Sequence, residues 1–478
     1  MLSGDMEKHL ILLGPKANSW ALALDHAAYL RAENKSVTAV SFDPLNIKGS
    51  RRSLFEKDVA ERLDFQIIKA QKLLDKSEHR EVNRISRFIA SEIRDSIEWV
   101  EYKYKTIPVG RILCSSYARI AGSAKFPITI IPPSFQLHVL HQVVYALKVF
   151  NKISSEFSHI AVVNGRGPID SVFLSMAIVN RKMTQALERG ATASKVHDFQ
   201  TSPHFAPDWW EMLERIPPTG SDSLEQTYWE SRLQGKDEVS GRDWSVYSNE
   251  TETAYHSISN LIVFFTSSTH EFPSLPQFTE TESSFKDQIS ALSSLIDICQ
   301  KKGKHLVIKR HPNSVGWDGV DRELTSWEWV REISNVTYID PHSKVHPHHL
   351  IRNAEAVLCY RSTTGIEAVA LNRPSRAMGN AKWAFSQESR AWSTNELEQF
   401  IENPTCIPIE VANRWGKLMS SFGRPLILFN SVSGGKAVGL DGAEYFSSDF
   451  YDKSFMSFYR RARNKLWSLK PRIVRKDT

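Results

Sequence analysis

The chain has 478 residues, of which 41% are hydrophobic and 24% are charged, and it contains 13 tryptophans. This length exceeds what one hydrophobic core usually organises, so two or three domains are expected, and the composition excludes a disordered chain. The 60 basic and 54 acidic side chains give a formal net charge of +6, too small to favour nucleic-acid binding. Basic residues concentrate instead in 460–476, which contains no acid.

The cysteines and the apolar segments indicate in which cellular compartment the protein is expected. Four cysteines are widely spaced without a CxxC pair, which predicts a reducing environment and neither a disulfide framework nor a zinc site. No segment approaches the roughly 20 apolar residues of a membrane-spanning helix. The start, MLSGDMEKHLILLGP, lacks the basic region of a signal peptide and predicts a first strand. We therefore expect a cytoplasmic protein.

The first half of the chain alternates strand and helix patterns. Apolar runs predict strands at 8–13, 37–43, 159–163 and 184–190, and 110–122 fits either a strand or a helix. Helical periodicity covers 20–34, 56–105, 138–154 and 170–182. This alternation is typical of a parallel α/β sheet. Residues 200–255, rich in Trp, Pro, Ser and Glu, break the pattern and predict short helices or irregular structure leading to a linker.

The alternation restarts in the second half and predicts a second α/β domain. Strands are expected at 260–268, 305–309, 336–340 and 356–360, and helices at 284–301, 322–333, 346–353 and 364–371. The tail from about 400 is expected to contain more helix and to pack back across the interface between the two domains. The resulting domains are 1–245, 246–400 and a helical segment 401–478 with a basic end.

Ligands of open α/β sheets sit outside the carboxyl ends of the strands, so polar residues at strand ends are candidates. Strand 305–309 ends in Lys309, Arg310 and His311, followed by Pro312. Proline holds the preceding residue extended, so His311 should project at the sheet edge. There it can donate to a phosphate oxygen, with the two cations adding positive potential. The alternative is a turn histidine that is satisfied by the backbone.

A second strand end runs directly into a helix. Its first turn supplies a cap, backbone amides, a glycine that lets a ligand approach and an acid that can accept from ribose hydroxyls; these residues are Ser362, Thr363, Thr364, Gly365 and Glu367. A helix N-terminus also favours an anion. Ordinary capping is the alternative, because Ser or Thr followed by a first-turn Glu is common.

Other strand ends supply further candidates. The loop after 260–265 contains Ser267, Ser268, His270 and Glu271, which also fit a plain polar loop. In the first half, Asn164, Gly165, Arg166, Asp170 and Glu188 follow strands.

A carboxylate is what glycosyl transfer needs, as base or as nucleophile, so Asp170 and Glu188 are candidates with His311. Asp170 could equally cap a helix, and Glu188 could pair with Arg166. The histidine-rich segment 341–349 matches no metal motif and predicts a solvated loop and helix start, so no metal site is expected.

The order of these segments resembles a known family. HLVIKRHPN (305–313), YIDP (338–341) and LIRNAEAVLCYRSTTGIEAVALNRPSRAMG (350–379) are similar to the donor-binding half of bacterial capsule and surface-polysaccharide biosynthesis proteins. That group includes transferases of the acidic sugar Kdo and has the two-Rossmann GT-B architecture. NGRGPID, LERG and FFTSSTHEF resemble segments of the same group in the same order, so the resemblance spans about 155–385.

The resemblance implies a GT-B fold, with two Rossmann-like domains facing each other across a cleft, and a metal-independent glycosyltransferase. His311 with Pro312 would hold the donor phosphate, and the family's Ser-Thr-x-Gly-x-Glu turn falls on Ser362 to Glu367. Arg373 and Arg376 depart from the family's pattern after the turn, so the nucleotide stays open, with a CMP-linked sugar as one expectation.

The expected partners are a nucleotide-sugar donor and a glycan or glycolipid acceptor, without a cofactor. The aromatic and basic tail could contact the inner membrane peripherally. The alternatives are a non-hydrolysing sugar-nucleotide epimerase, a teichoic-acid-type polyol-phosphate transferase and a non-catalytic glycan- or nucleotide-binding scaffold. The epimerase would want a second acid where this chain has Ala368.

Overall fold

A computed structural model describes most of the chain: residues 7–14, 16–42, 51–94, 96, 98–217, 223–234, 236–237, 242–243, 258–268, 283–316, 320–321, 323, 327–433 and 436–446. The chain forms two compact units. The first comprises Met1–Ser116, Pro127–Glu188 and Pro425–Thr478, and the second comprises Tyr117–Phe126 and Arg189–Arg424. The predicted boundaries near 245 and 400 differ from this division, because the chain changes unit earlier and later returns to the first one.

The first unit contains five parallel strands of a seven-stranded sheet: β1 Lys8–Leu13, β2 Ser36–Ser41, β3 Gln66–Lys69, β4 His159–Val163 and β5 Met183–Arg189. Their order in the sheet is β5-β4-β1-β2-β3, and all of these pairs are parallel. Five of the six residues of β1 are buried, which is typical of a parallel strand covered on both faces. The helices of this unit are α1 Ala17–Ala32, α2 Arg51–Arg62, α3 Lys76–Arg94, α5 Pro133–Ile153, α6 Pro168–Val179 and the first part of α4 Val109–Ala121, whose residues from Tyr117 belong to the second unit.

Most predicted elements of the first unit are present. The ambiguous segment 110–122 is a helix, α4. The region 56–105 was predicted to be helical throughout, which is wrong at β3, where only four residues, QIIK, form the strand. So short a strand at the edge of a sheet gives too few residues for alternation to show.

The long segment of the second unit, Arg189–Arg424, begins with three elements: β6 Lys195–Phe199, α7 Ala206–Arg215 and α8 Ser223–Leu233. The two-residue strands β7 Lys236–Asp237 and β8 Arg242–Asp243 pair antiparallel. Residues 200–217 and 223–234 are thus mainly helical, in agreement with the prediction of short helices.

The second unit contains another parallel sheet, whose strands are β9 Leu261–Phe265, β10 His305–Lys309, β11 Val336–Ile339, β12 Ala356–Cys359 and β13 Ser375–Ala377. Their order is β11-β10-β9-β12-β13. Phe265 pairs with Lys309 on one side and with Cys359 on the other, so these three strands end level. The helices are α9 Gln288–Lys301, α10 Glu328–Arg331, α11 Pro347–Asn353, α12 Thr364–Ala370, α13 Thr394–Glu402 and α14 Glu410–Ser421.

Both sheets have the same strand order, 3-2-1-4-5 when the five strands of each unit are numbered along the chain. This is the Rossmann-like order, and its direction reverses between the first and fourth strands. The predicted fold class, two Rossmann-like α/β domains, is therefore confirmed. In each sheet the reversal marks where a ligand is expected, at the carboxyl ends of β1 and β4 and of β9 and β12.

The C-terminal segment differs from its prediction. It contains α14, but after the short strand β14 Arg424–Pro425 the chain forms an antiparallel three-stranded sheet of β15 Phe429–Ser433, β16 Lys436–Gly439 and β17 Glu444–Phe446. The helical prediction is wrong for these strands, and the basic end 447–478 lies outside the described residues. Across the described part of the chain, no helix combines the length and apolar character needed to cross a membrane.

Candidate functional site

The level ends of β10, β9 and β12 form the candidate site at the carboxyl edge of the second sheet. β9 lies between the other two strands, so the residues after β10 and after β12 are about two strand spacings apart, roughly 10 Å. The residues that follow β9 are Thr266, Ser267 and Ser268. Two predicted groups, His311 and the turn that begins at Ser362, therefore flank one serine-rich strand end.

His311 is held in the extended conformation that Pro312 predicts, with φ −68° and ψ 132°. Its backbone N–H donates to the Thr266 hydroxyl at 2.8 Å, and its Nδ1 accepts from the Asn313 N–H at 3.1 Å. Because Nδ1 accepts, the proton of the neutral ring lies on Nε2. The imidazole is thus oriented by the backbone and presents Nε2–H as a donor.

Ser267 joins the ends of β9 and β12. Its hydroxyl accepts from the Arg361 backbone N–H at 2.8 Å, and its own N–H donates to Gln288 Oε1 at 2.6 Å. Thr266 and Arg361 were not among the predicted site residues. Thr266 directly follows β9 and Arg361 is the second residue after β12, so the rule that selected Ser267 and Ser362 could have selected them as well.

The Ser362 turn is built from side chains and the backbone together. The Ser362 hydroxyl accepts from the Thr364 hydroxyl at 2.8 Å and from the Thr364 N–H at 3.3 Å, which leaves its own O–H to act as a donor. The Ser362 carbonyl accepts from Trp383 Nε1 at 2.9 Å and from the Cys359 thiol at 3.3 Å. Thr363 and Thr364 are only half-buried and lie at the start of α12.

Gly365 has a packing role that the sequence did not reveal. A Cβ at this position would lie 2.3 Å from Cζ2 of Trp383 and 2.9 Å from Sγ of Cys359. The glycine therefore admits the indole ring and not, as predicted, a ligand. Burial raises the pKa of the Cys359 thiol to about 12, although backbone hydrogen bonds from Ser362 and Gly365 act in the opposite direction. The Gly365 amide, predicted to be free for an anion, thus contacts this sulfur.

Glu367 lies inside the unit rather than at an open edge. Its Oε1 accepts from Arg232 Nε at 3.0 Å and from Arg232 Nη2 at 2.8 Å, and its Oε2 is 2.8 Å from His348 Nε2. Burial raises the pKa of this carboxyl, but the charge of Arg232 and the hydrogen bond from His348 outweigh burial and lower it to about 2. The predicted ribose contact stays a prediction, and it requires this ion pair to open.

The two cations before His311 are buried as well. Arg310 is 1% exposed, donates from Nη1 to Asp321 at 3.0 Å and to the Tyr338 hydroxyl at 3.0 Å, and lies over the Trp327 ring. Lys309 donates to the Ser343 carbonyl at 3.2 Å, and burial lowers its pKa to about 8. Arg310 thus organises the interior, whereas Lys309 is directed toward the loop after β11.

A cavity of about 200 Å³ lies beside Ser267 and Ser268. Its aromatic walls are Trp327 and Tyr360. Three cations also line it, Arg361, Lys286 and Lys125, and the last comes from the segment Tyr117–Phe126 that belongs to this unit. Lys125 lies 3.4 Å from the Asp287 carboxylate. Sequence analysis missed Lys125, because nothing local shows that this loop joins the second unit.

The predicted residues of the first unit lie at the carboxyl end of β4. Asn164 and Gly165 have positive φ values of 63° and 75°. The Asn164 amide donates to the Glu188 carboxylate and accepts from Arg166 Nε at 2.6 Å, so Arg166 and Glu188 are linked through Asn164. Asp170 lies in the first turn of α6, and burial raises its pKa to about 6, although the charge of Lys16 opposes the shift.

Two predictions about loops have different outcomes. His270 and Glu271 lie outside the described residues. The segment 341–349 was predicted to be a solvated loop, which is wrong for His348 and His349, 4% and 8% exposed respectively. The hydrogen bond from His348 to Glu367 gives the reason, since it anchors the start of α11 inside the unit.

Comparison with known proteins supports the resemblance. The sequence model of the family described as "Capsule polysaccharide biosynthesis protein" matches residues 280–399. This match confirms the predicted resemblance over the segment that runs from the start of α9 into α13 and includes His311 and the Ser362 turn. No curated protein matches the chain.

Solved structures with detectable similarity include two structures of KpsC from Thermosulfurimonas dismutans. Its beta Kdo 2,4 transferase is 10% identical over 54% of this chain and 79% of that one, with a TM-score of 0.31. Its beta Kdo 2,7 transferase is 12% identical over 65% and 89%, with a TM-score of 0.32. The UDP-GlcNAc 2-epimerase of Methanocaldococcus jannaschii is 11% identical over 87% and 99%, with a TM-score of 0.30. Scores this low carry no argument, so the assignment depends on the family match and the site.

Proposed function

We propose that the protein is a glycosyltransferase of capsule or surface-polysaccharide biosynthesis that takes its sugar from a nucleotide-activated donor. The observation that carries the proposal is the coincidence of the family match with the switch point of the second sheet. Residues 280–399 supply both flanks of that edge, and Ser267 is bonded to one flank through Arg361. A phosphate-bearing ligand is expected at such an edge in an open parallel sheet.

Two groups bind the donor phosphate in this proposal. His311 Nε2–H and the Ser362 hydroxyl follow strands whose ends are level, and each is oriented by hydrogen bonds before a ligand binds, the Ser362 hydroxyl by accepting from the Thr364 hydroxyl and N–H. Donors held in advance stabilise charge that develops on a leaving phosphate, because they need no reorganisation during the reaction. The transfer step is proposed to need neither a metal ion nor a cofactor.

We assign Glu367 to the support of α12 and not to the first contact with the donor. Its carboxylate is held by Arg232 and His348, so it fixes the helix that carries the Thr364 hydroxyl. Asp170 and Glu188 are the proposed carboxylates for activating an acceptor hydroxyl. The raised pKa of Asp170, about 6, suits a base that must lose its proton near neutral pH.

The acceptor in this proposal is a glycan or glycolipid, and the protein acts in the cytoplasm. The basic segment 460–476 would hold the protein at an anionic membrane surface, where glycolipid acceptors are found. A CMP-linked donor is one expectation within this scheme.

The test is a panel of CMP-, UDP-, GDP- and CDP-linked donors, with nucleotide release measured with and without a glycan acceptor. Release of one nucleotide that depends on acceptor supports the proposal. His311→Gln should lower kcat/KM by roughly 100- to 1,000-fold, the usual effect of removing one donor from a developing charge. His342→Gln is the matched control, because this exposed histidine follows β11 outside the site.

The alternatives give other results. Conversion of the donor to a sugar-nucleotide isomer without acceptor indicates an epimerase, and transfer of a polyol phosphate from a CDP-linked donor indicates the teichoic-acid-type reaction. Absence of nucleotide binding, with His311→Gln equal to wild type, overturns every enzymatic assignment and favours a scaffold.

A further inference from the structure

The amino-terminal ends of β1 and β4, in the sheet of the first unit, carry a cluster of side chains that the proposed function does not use. His9 on β1 and His159 on β4 are paired neighbours in parallel strands, and their rings stack with centroids 4.3 Å apart. Glu7 precedes β1 at the same end. The three residues offer two imidazole nitrogens and one carboxylate oxygen, all within 4.8 Å of one another.

His9 is the unusual member of this cluster. It is 4% exposed, yet neither of its ring nitrogens has a hydrogen-bond partner among the described residues. Its Nε2 is 3.8 Å from the Glu7 carboxylate, which is too long for a hydrogen bond. A buried imidazole without partners is costly, and such groups in native proteins usually mark a missing water or ion.

His159 is already arranged as a ligand. Its Nδ1 is 2.9 Å from the Ser158 hydroxyl, a contact that can fix the ring and leave Nε2 available. Metal-binding histidines typically use their second nitrogen in this way.

We propose that Glu7, His9 and His159 bind one divalent transition-metal ion, with Zn²⁺ as the best match. Two imidazoles and one carboxylate form a ligand set that suits zinc, and water would complete a four-coordinate site. Lys35 lies 2.5 Å from the Glu7 carboxylate and must move aside. Its side chain is 40% exposed, so water can replace that contact.

The cluster lies far from the carboxyl ends of the strands, where substrates are expected. β1 has six residues and rises about 3.3 Å per residue, so roughly 17 Å separates the cluster from the carboxyl end of the strand. A metal ion here would tie the amino-terminal end of β1 to that of β4. Zinc binding to this site is therefore compatible with a transfer step that uses no metal. If the protein binds no zinc, the proposed glycosyltransferase function is unaffected.

The experiment uses the full-length protein stripped with a chelator and titrated with Zn²⁺ against a chromophoric competitor. Wild type should bind one equivalent, and Zn²⁺ should raise its unfolding temperature. His159→Gln and Glu7→Gln should lower zinc affinity at least tenfold and abolish the thermal shift. Both residues are more exposed than His9, so these variants should fold. His138→Gln, at an exposed position on α5, is the control and should behave like wild type.

Two outcomes overturn the site. One is the absence of stoichiometric zinc binding in wild type. The other is zinc binding that persists in His159→Gln but disappears in His349→Gln, which would place the ion at the histidines of 346–349 instead. Cobalt substitution gives an independent readout, because tetrahedral Co²⁺ with these ligands should produce intense visible absorption that His159→Gln removes.

Discussion

Replacement of Arg232 by methionine should destabilise the second unit severely. Arg232 makes two hydrogen bonds to one oxygen of Glu367, and His348 contacts the other oxygen. The Glu367 side chain is 6% exposed, so solvent cannot replace the lost cation. Methionine keeps most of the length of the side chain and removes only its charge and its donors.

The magnitude follows from two independent estimates. Removing one partner of a buried ion pair costs about 3–5 kcal/mol, because the other charge stays buried. The carboxyl pKa falls from 4.5 to about 2 in the folded state, which corresponds to about 3 kcal/mol at 1.36 kcal/mol per pKa unit for Arg232 and His348 together, after the opposing effect of burial. This pKa is depressed, so the stabilisation is complete above the unfolded value near 4.5 and disappears as pH falls through about 2. Measurements at pH 7 therefore record all of it.

The assay is thermal and urea unfolding of the full-length protein at pH 7. For a domain of 150–250 residues, 1 kcal/mol shifts the unfolding temperature by about 2–4 °C, so a loss of about 3 kcal/mol should lower it by roughly 6–12 °C. Arg352→Met is the control, because Arg352 is exposed on α11 in the same unit. It should change stability by less than about 0.5 kcal/mol.

A double variant tests the cause. Adding Glu367→Gln to Arg232→Met removes the unpaired charge, so the double variant should be more stable than Arg232→Met alone. The reasoning is refuted if Arg232→Met unfolds like Arg352→Met. It is equally refuted if the changes in unfolding free energy caused by Arg232→Met and Glu367→Gln simply add, since additivity would mean that the two residues do not interact.

The sequence predicted what is local and missed what depends on distant partners. Apolar runs and proline placed β9, β10 and β12 and the extended His311, because the causes lie within a few residues. Arg232 and Glu367 are 135 positions apart, and no local pattern joins them. The segment Tyr117–Phe126 likewise belongs to the second unit through contacts that neither composition nor periodicity encodes.

Gly365 shows how a local reading can select the right residue for the wrong reason. A glycine at the start of a helix after a buried strand is typical of a ligand site. Here the space that a side chain would fill is taken by Trp383, 18 positions later in the chain. The turn still carries a candidate donor, but it is the Ser362 hydroxyl, oriented by Thr364, rather than the amide of Gly365.

Two further substitutions test the packing and the electrostatics of the candidate residues. Gly365→Ala places a methyl group 2.3 Å from Trp383 and should destabilise the protein by about 1–3 kcal/mol in urea unfolding; Trp383→Leu should recover part of this loss, and a wild-type midpoint for Gly365→Ala would contradict the packing role. Asp170→Asn should instead stabilise the protein at alkaline pH. Burial raises the carboxyl pKa from 3.8 to about 6, so the folded state prefers the protonated acid and loses stability as pH rises between these two values. Asparagine removes that penalty, so the variant should be more stable than wild type by about 1–3 kcal/mol at pH 8 and equally stable near pH 4. Equal midpoints at pH 8 would refute the buried carboxylate. If Asp170 also accepts a proton during transfer, Asp170→Asn should be more stable than wild type but less active. The wild-type carboxylate would then lower stability and be needed for catalysis.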